Sequence, residues 1–141
     1  MIKLVAFDLD GTIADTIPMC IEAFKQAVSP YASKILSEDD IVKTFGLNEE
    51  GMIKEVVSED WEKALIDFYV TYKEMHTVYI QPFVGIRELI TELKENSIIV
   101  SLITGKGVVI LRFTILKWKL FLMISQSGHL IEIQKRNQCP N

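Results

Sequence analysis

Cysteine is scarce in this chain of 141 residues, which contains only Cys20 and Cys139. Two cysteines so far apart predict neither a disulfide framework nor a zinc cluster. Four prolines and seven glycines are too few for a collagen-like or linker-like sequence. The amino-terminal segment lacks the apolar run of a signal peptide, because the acidic residue Asp8 interrupts the apolar residues near the start of the chain. A cytoplasmic protein is therefore expected.

An excess of positive charge is also absent, since 15 Lys and Arg stand against 19 Asp and Glu and the formal net charge is −4. This balance argues against a globally basic nucleic-acid-binding protein, so no nucleic-acid partner is predicted. The chain is 49% hydrophobic and 24% charged, which is enough apolar material for a core. The length predicts one domain, or one domain with a small insertion.

Two apolar runs predict strands of a parallel sheet that are buried on both faces, at residues 2–9 and 98–103. Helical periodicity fills the chain between them. The helices from about residue 15 to 80 are too many for one crossover, so they indicate an inserted helical subdomain. A further amphipathic helix is predicted at residues 86–95. The fold class is therefore α/β.

Local signals predict where three of the inserted helices begin. Ser37, followed by Asp40, resembles a capping box at the start of a short helix. Asn48 is expected to cap a second short helix, and Ser58 a longer one.

The composition changes after Gly107. Residues 1–106 hold 10 Lys and Arg against 18 Asp and Glu, a net charge of −8, whereas residues 107–141 hold five against Glu132 alone, a net charge of +4. This change in charge has several alternative explanations: a basic interaction tail, a shifted reading frame or early termination of a longer gene, or a natural truncated paralogue. A helix from residue 108 and a short strand at 120–124 are predicted, followed by a polar tail.

The apolar run at residues 108–124 is short for a membrane span and carries Arg112, Lys117 and Lys119. A helix on a membrane surface is an alternative, but burial against the sheet explains the same apolar residues. No membrane partner is predicted.

Asp8 and Asp10 stand two residues apart where the first strand ends, and Gly11 and Thr12 follow. Ligand sites of parallel sheets lie at this end of the strands. Such a pair can act as nucleophile and general acid/base, or can hold Mg²⁺. Gly11 allows close approach of the backbone, and free N–H groups can bind phosphate oxygens. A capped Asp-Gly turn without function explains the same residues.

The second strand also ends in a polar turn, Thr104-Gly105-Lys106. A hydroxyl, a glycine amide and a cation beside two carboxylates suit a dianion of the size of phosphate. Alone, such a turn is often only a loop.

These segments resemble the haloacid dehalogenase (HAD) superfamily. Phe7-Asp8-Leu9-Asp10-Gly11-Thr12, followed by Asp15, is similar to its first motif, and Ile103-Thr104-Gly105-Lys106 is similar to its second. Pro82-Phe83-Val84-Gly85 resembles the loop that returns from the helical cap in the phosphoglycolate phosphatase-like branch. The order and spacing agree over residues 1–106.

The resemblance implies an incomplete HAD-like Rossmannoid core at residues 1–14 and 81–124, an all-helical cap at 15–80, and a tail at 125–141 that is not family-like. It also implies a Mg²⁺-dependent phosphatase that hydrolyses a small phosphate monoester through an aspartyl-phosphate.

The resemblance carries roles to individual residues. Asp8 is implied to be the nucleophile and Asp10 the general acid/base, and both are implied metal ligands. The implied phosphate-binding residues are Gly11, Thr12, Thr104 and Gly105.

Two further parts of the family's site have no match in residues 107–141. One is a lysine, usually before proline, and the other is a later acidic pair. The alternative expectation is therefore a catalytically impaired fragment that at most binds phosphate, a metal or a partner chain. An uncovered sheet edge beside the first strand predicts aggregation or a homodimer.

Overall fold

The computed structural model describes residues 1–118, except for the side chains at positions 77–79, 115, 117 and 118. The strand expected at 120–124 and the polar tail at 125–141 lie outside these residues. The elements, in chain order, are β1 (Leu4–Phe7), α1 (Ile17–Val28), α2 (Glu38–Val42), α3 (Glu49–Lys54), α4 (Trp61–Tyr79), α5 (Ile86–Glu95), β2 (Ile99–Leu102) and α6 (Val108–Trp118).

The two strands pair in parallel, as predicted, with Leu4 opposite Ile99 and Phe7 opposite Leu102. The pairing continues one step further, because the Ile103 N–H donates to the Phe7 carbonyl at 2.8 Å. The polar turns after β1 and β2 therefore leave the sheet at the same end.

The prediction that both strands are buried on both faces is wrong for β1. Leu4 is 52% exposed and Ala6 is also exposed. The prediction assumed neighbouring strands on both sides, but within residues 1–118 the sheet has two strands. In β2, Val100 and Leu102 are fully buried, while Ile99 remains partly open.

The two short helices begin where their caps predict. The Asp40 N–H donates to the Ser37 hydroxyl at 3.2 Å, and the Ser37 N–H donates to the Asp40 carboxylate at 3.0 Å. This reciprocal pair is the predicted capping box. The Asn48 side chain accepts the Gly51 N–H at 2.9 Å, which caps α3. Local side-chain bonds therefore determine both starts.

The long helix begins later than predicted. Its first residue is Trp61, and the preceding Asp60 has a left-handed backbone with φ of 57°. Because the chain turns at Asp60, Ser58 stands outside the helix and does not cap it. The boundary therefore depends on a backbone turn that the cap pattern does not reveal.

Aromatic packing joins the helices between the two strands. Phe24 of α1 meets Phe68 of α4 edge-on, with ring centroids 5.6 Å apart. Farther along α4, Tyr72 and His76 lie 5.8 and 5.5 Å from the Phe113 ring of α6. Thus α4 packs on α1 and also on the helix that follows β2. The boundaries of a cap at residues 15–80 stay a prediction.

In the chain up to residue 118, no helix combines the length and the apolar character needed to cross a membrane.

Candidate active site

A cleft of about 590 Å³ opens at the end of the sheet where the two polar turns emerge. The strand-end wall of this cleft consists of Ala6, Phe7, Asp8, Asp10, Ile103, Thr104, Gly105 and Lys106. The helical wall consists of Ile17, Cys20, Phe45, Gly46, Leu47, Glu49 and Met52. The fold therefore brings together four of the predicted site residues, Asp8, Asp10, Thr104 and Gly105.

The two aspartates occupy different environments. Asp8 is exposed, and its Oδ1 accepts the Leu9 N–H at 2.7 Å, which orients the carboxylate. Asp10 is half-buried, and its Oδ1 accepts a hydrogen bond from the fully buried Thr16 hydroxyl. The Lys106 ammonium lies 3.7 Å from the same oxygen. Asp8 is thus open to a ligand, whereas Asp10 is held by neighbours.

Gly11 and Thr12 do not line the cleft. The Gly11 N–H donates to the Ala14 carbonyl at 2.8 Å, and the Thr12 N–H donates to the Leu9 carbonyl at 3.4 Å. Gly11 has φ of +73°, so this tight turn requires its left-handed backbone. The expectation of free N–H groups is therefore wrong for this turn. The role of these two residues in phosphate binding stays a prediction.

Thr104 and Gly105 shape the turn after β2. Thr104 is buried, and its hydroxyl accepts the Lys106 N–H at 3.1 Å. Open space surrounds the α-carbon of Gly105, since a Cβ there would meet nothing within 4 Å. The turn therefore offers an accessible backbone beside a buried hydroxyl at the cleft.

Lys106 extends from this turn into the protein and is the one cation among the described residues of the cleft wall. Its side chain is 10% exposed, and its Nζ lies 3.5 Å from Cys20 Sγ and 5.2 Å from the centre of the Tyr72 ring. The sequence marks Lys106 only as part of a polar turn. Its contacts with Cys20 and Tyr72 have no sequence signal, because they join residues far apart in the chain.

The charge on Lys106 is stable in this setting. Burial by itself lowers the pKa of Lys106, but the nearby acidic groups outweigh burial and hold that pKa above its ordinary value. Burial raises the pKa of the Cys20 thiol and of the Tyr72 phenol, so both are neutral near pH 7. Cys20, Tyr72, Asp10 and Glu49, in that order of effect, are the groups that raise the pKa of Lys106.

Glu49 is the site residue that sequence reasoning missed. It lies in the first turn of α3, is 3% exposed, and accepts the Gly107 N–H with both oxygens, at 2.8 and 3.1 Å. A Cβ at position 107 would overlap Glu49 Oε2, so a side chain there would force the Glu49 carboxylate to move. Burial raises the pKa of Glu49, while Lys106 and the Gly107 N–H oppose that rise.

The acidic side chains of the cleft decide whether it can hold Mg²⁺. Within residues 1–118, no three His, Cys, Asp or Glu side chains cluster as metal ligands. Mg²⁺ usually keeps several waters and takes one or two carboxylates together with phosphate oxygens. Asp8 and Asp10 supply two carboxylates to one cleft, and the residues present therefore fit this cation.

The model of the haloacid dehalogenase-like hydrolase family matches residues 5–128 of this chain. The chain belongs to this family. The match continues past residue 106, where the motif resemblance ended, and includes α6.

A phosphoglycolate phosphatase of Vibrio parahaemolyticus is 29% identical in an alignment of 118 residues, gaps included, that covers 74% of this chain and 51% of the relative. Pyrophosphatase PpaX of Bacillus mycoides is 23% identical over 106 residues, or 75% of this chain and 49% of that protein. The chain thus spans about half the length of the curated relatives it matches.

The HAD-like fold with a parallel sheet and a partial core is confirmed by solved structures. The crystal structure of a predicted phosphoglycolate phosphatase from Haemophilus somnus superposes with a TM-score of 0.74 at 17% identity, covering 99% of this chain and 65% of that one. At this identity the likeness shows the fold alone.

Proposed function

We propose that this HAD-family chain forms the active site of a Mg²⁺-dependent phosphatase, which hydrolyses a small phosphate monoester through an aspartyl-phosphate. The observation that carries the proposal is the meeting of Asp8, Asp10, Thr104 and Lys106 in one cleft. These residues come from the ends of two adjacent parallel strands, where ligands bind in open α/β sheets.

In the first step, an oxygen of the Asp8 carboxylate attacks phosphorus, and the bond from phosphorus to the alcohol oxygen breaks. Asp10, in its protonated form, gives its proton to the departing alcohol. This division of labour agrees with the geometry, since Asp8 is open to the cleft and Asp10 is positioned by Thr16.

In the second step, water attacks the phosphorus of the aspartyl-phosphate while Asp10 takes one proton from that water. The bond between phosphorus and the Asp8 oxygen breaks, which releases inorganic phosphate and restores the Asp8 carboxylate. Asp10 is protonated again for the next cycle. Thr104 and the open backbone at Gly105 are the groups that would hold the phosphate oxygens.

Charge balance explains the need for cations here. Asp8, Asp10 and the substrate phosphate are all acidic groups, and in the described cleft wall Lys106 is the one cation that opposes them. Asp8 and Asp10 would hold Mg²⁺, which when bound supplies positive charge against the phosphate oxygens.

The test is release of phosphate from a generic phosphate monoester by the full chain with Mg²⁺. We expect Asp8→Asn to lower turnover by at least about a thousandfold, because the nucleophile is lost. Asp10→Asn should lower it by about 10²–10⁴-fold, since proton transfer is lost. Asp39→Asn, on the exposed surface of α2, should behave like the unmodified chain. Unchanged turnover in Asp8→Asn would refute the mechanism.

A second candidate is a catalytically impaired fragment that binds phosphate, a metal or a partner chain. One observation favours it: within residues 1–118 no three His, Cys, Asp or Glu side chains cluster as metal ligands. Within residues 1–118, β1 pairs with a strand on one side only, and its other edge suggests a second copy of the chain as that partner. Binding of inorganic phosphate without turnover in the assay above would favour this candidate.

A further inference from the structure

The helical wall of the cleft carries a single ionisable acid among mostly apolar groups. Ile17, Phe45, Leu47 and Met52 present apolar side chains, and the Cys20 thiol is neutral near pH 7 because burial raises its pKa. Glu49 is the one acidic residue of this wall, within the part of the chain that the structure describes. The two walls therefore differ in chemistry: one suits phosphate and the other suits the rest of the substrate.

We infer that Glu49 selects the leaving group, so that the cleft prefers phosphate monoesters of neutral or cationic alcohols over esters whose leaving group carries a second anionic group. This inference rests on the proposed function, because it assigns the phosphate to the strand-end wall. The alcohol portion then projects toward the helical wall, where it meets apolar side chains and the Glu49 carboxylate.

The fold holds the Glu49 carboxylate in a defined position. Its carboxylate is almost completely buried and accepts the Gly107 N–H with both oxygens. The absence of a side chain at Gly107 allows this close approach. A buried carboxylate in a fixed place repels a second anion more strongly than an exposed one, because water screens it less.

Lys106 acts on Glu49 as well as on Asp10, so it offsets the Glu49 charge only in part. Its Nζ faces Asp10 at 3.7 Å, and the phosphate of any substrate competes for the same ammonium. A second anionic group would meet Glu49 without a cation of its own in the described wall. A hydroxyl or an ammonium group on the leaving group could instead donate to Glu49.

The experiment compares three two-carbon ligands that differ in the charge of the leaving group: phosphoethanolamine, 2-hydroxyethyl phosphate and 2-phosphoglycolate. Binding to the full chain carrying Asp8→Asn is measured by calorimetry with Mg²⁺, so that turnover does not interfere. We expect 2-phosphoglycolate to bind at least about tenfold more weakly than phosphoethanolamine, as like charges in one site predict. Equal or tighter binding of 2-phosphoglycolate, or no binding of any ligand, would overturn the inference.

The same titrations with Glu49→Gln added should bring the three affinities to within about threefold of each other. Glu50→Gln is the matched control, because Glu50 is adjacent, pairs with Lys54 at the surface and does not line the cleft. The Glu50→Gln chain should still bind phosphoethanolamine more tightly than 2-phosphoglycolate. Retained preference in Glu49→Gln would show that Glu49 only joins the walls structurally. If Glu49→Gln does not fold, as judged by thermal melting, the ligand series on the Asp8→Asn chain decides alone.

Failure of the proposed function gives a different result. If the chain with Asp8 intact and its Asp8→Asn variant hydrolyse phosphate esters equally, the aspartyl-phosphate mechanism is wrong, while a charge preference in binding still stands.

Discussion

The two walls of the cleft are assembled in opposite ways. The strand-end wall comes from two short motifs, each of which follows directly from a strand, and its polar residues are neighbours in sequence. The helical wall draws on α1, on the segment between α2 and α3, and on α3 itself. Short motifs therefore place the reacting groups, whereas the packing of distant helices places the groups that surround the substrate.

The largest expected effect tests whether the helical wall depends on packing between α1 and α4. Phe68→Ala removes a fully buried ring that contacts Phe24, so we expect the free energy of unfolding to fall by about 3–5 kcal/mol. Ile66→Ala, on the exposed side of the same helix, should change it by less than about 0.5 kcal/mol. Urea unfolding measures both. Similar losses in the two variants would mean that this contact does not hold the wall.

The next effect concerns the cation that stands between the walls. Lys106→Met keeps most of the length of the side chain but removes the charge 3.7 Å from Asp10. We expect kcat/KM to fall by about 10–100-fold, the range for loss of a hydrogen bond from a charged donor to the substrate phosphate. Lys106→Arg should recover part of this loss. Lys63→Met, which removes a surface ammonium paired with Asp60, serves as the control and should leave kcat/KM unchanged. An unaltered value in Lys106→Met would show that the ammonium has no role in catalysis.

The smallest effect is the dependence of stability on pH through Glu49. Its folded pKa is raised by burial, with Lys106 and the Gly107 N–H opposing and Asp10 adding to the rise. The folded state therefore holds the Glu49 proton more tightly than the unfolded state. Stability from this group is complete below the ordinary glutamate pKa and declines as the pH rises toward the folded pKa.

Glu49→Gln removes this titration. Its free energy of unfolding relative to the unmodified chain should therefore increase as the pH rises through that window. Chemical unfolding at a series of pH values, with Glu50→Gln as the matched control, measures the difference. A difference that decreases with rising pH would contradict the raised pKa.

Much of the strand-end wall could be predicted from sequence because its geometry is local. Asp8 and Asp10 follow an apolar strand directly, and Thr104 follows the other, so parallel pairing alone places all three at one end of the sheet. The capping box at Ser37 was predictable for the same reason. The burial of β1 was not, since it depends on neighbouring strands rather than on the run of apolar residues itself.

By itself, the sequence determined the order of strands and helices, the two polar turns and the family to which the chain belongs, because these depend on residues a few positions apart. Only the tertiary structure decided that Glu49 meets Gly107 across 58 positions and that Lys106 reaches Cys20 across 86. Such contacts depend on how the helices pack onto the sheet. The preference for one leaving-group charge over another, which we assign to Glu49, thus depends on how the helices pack.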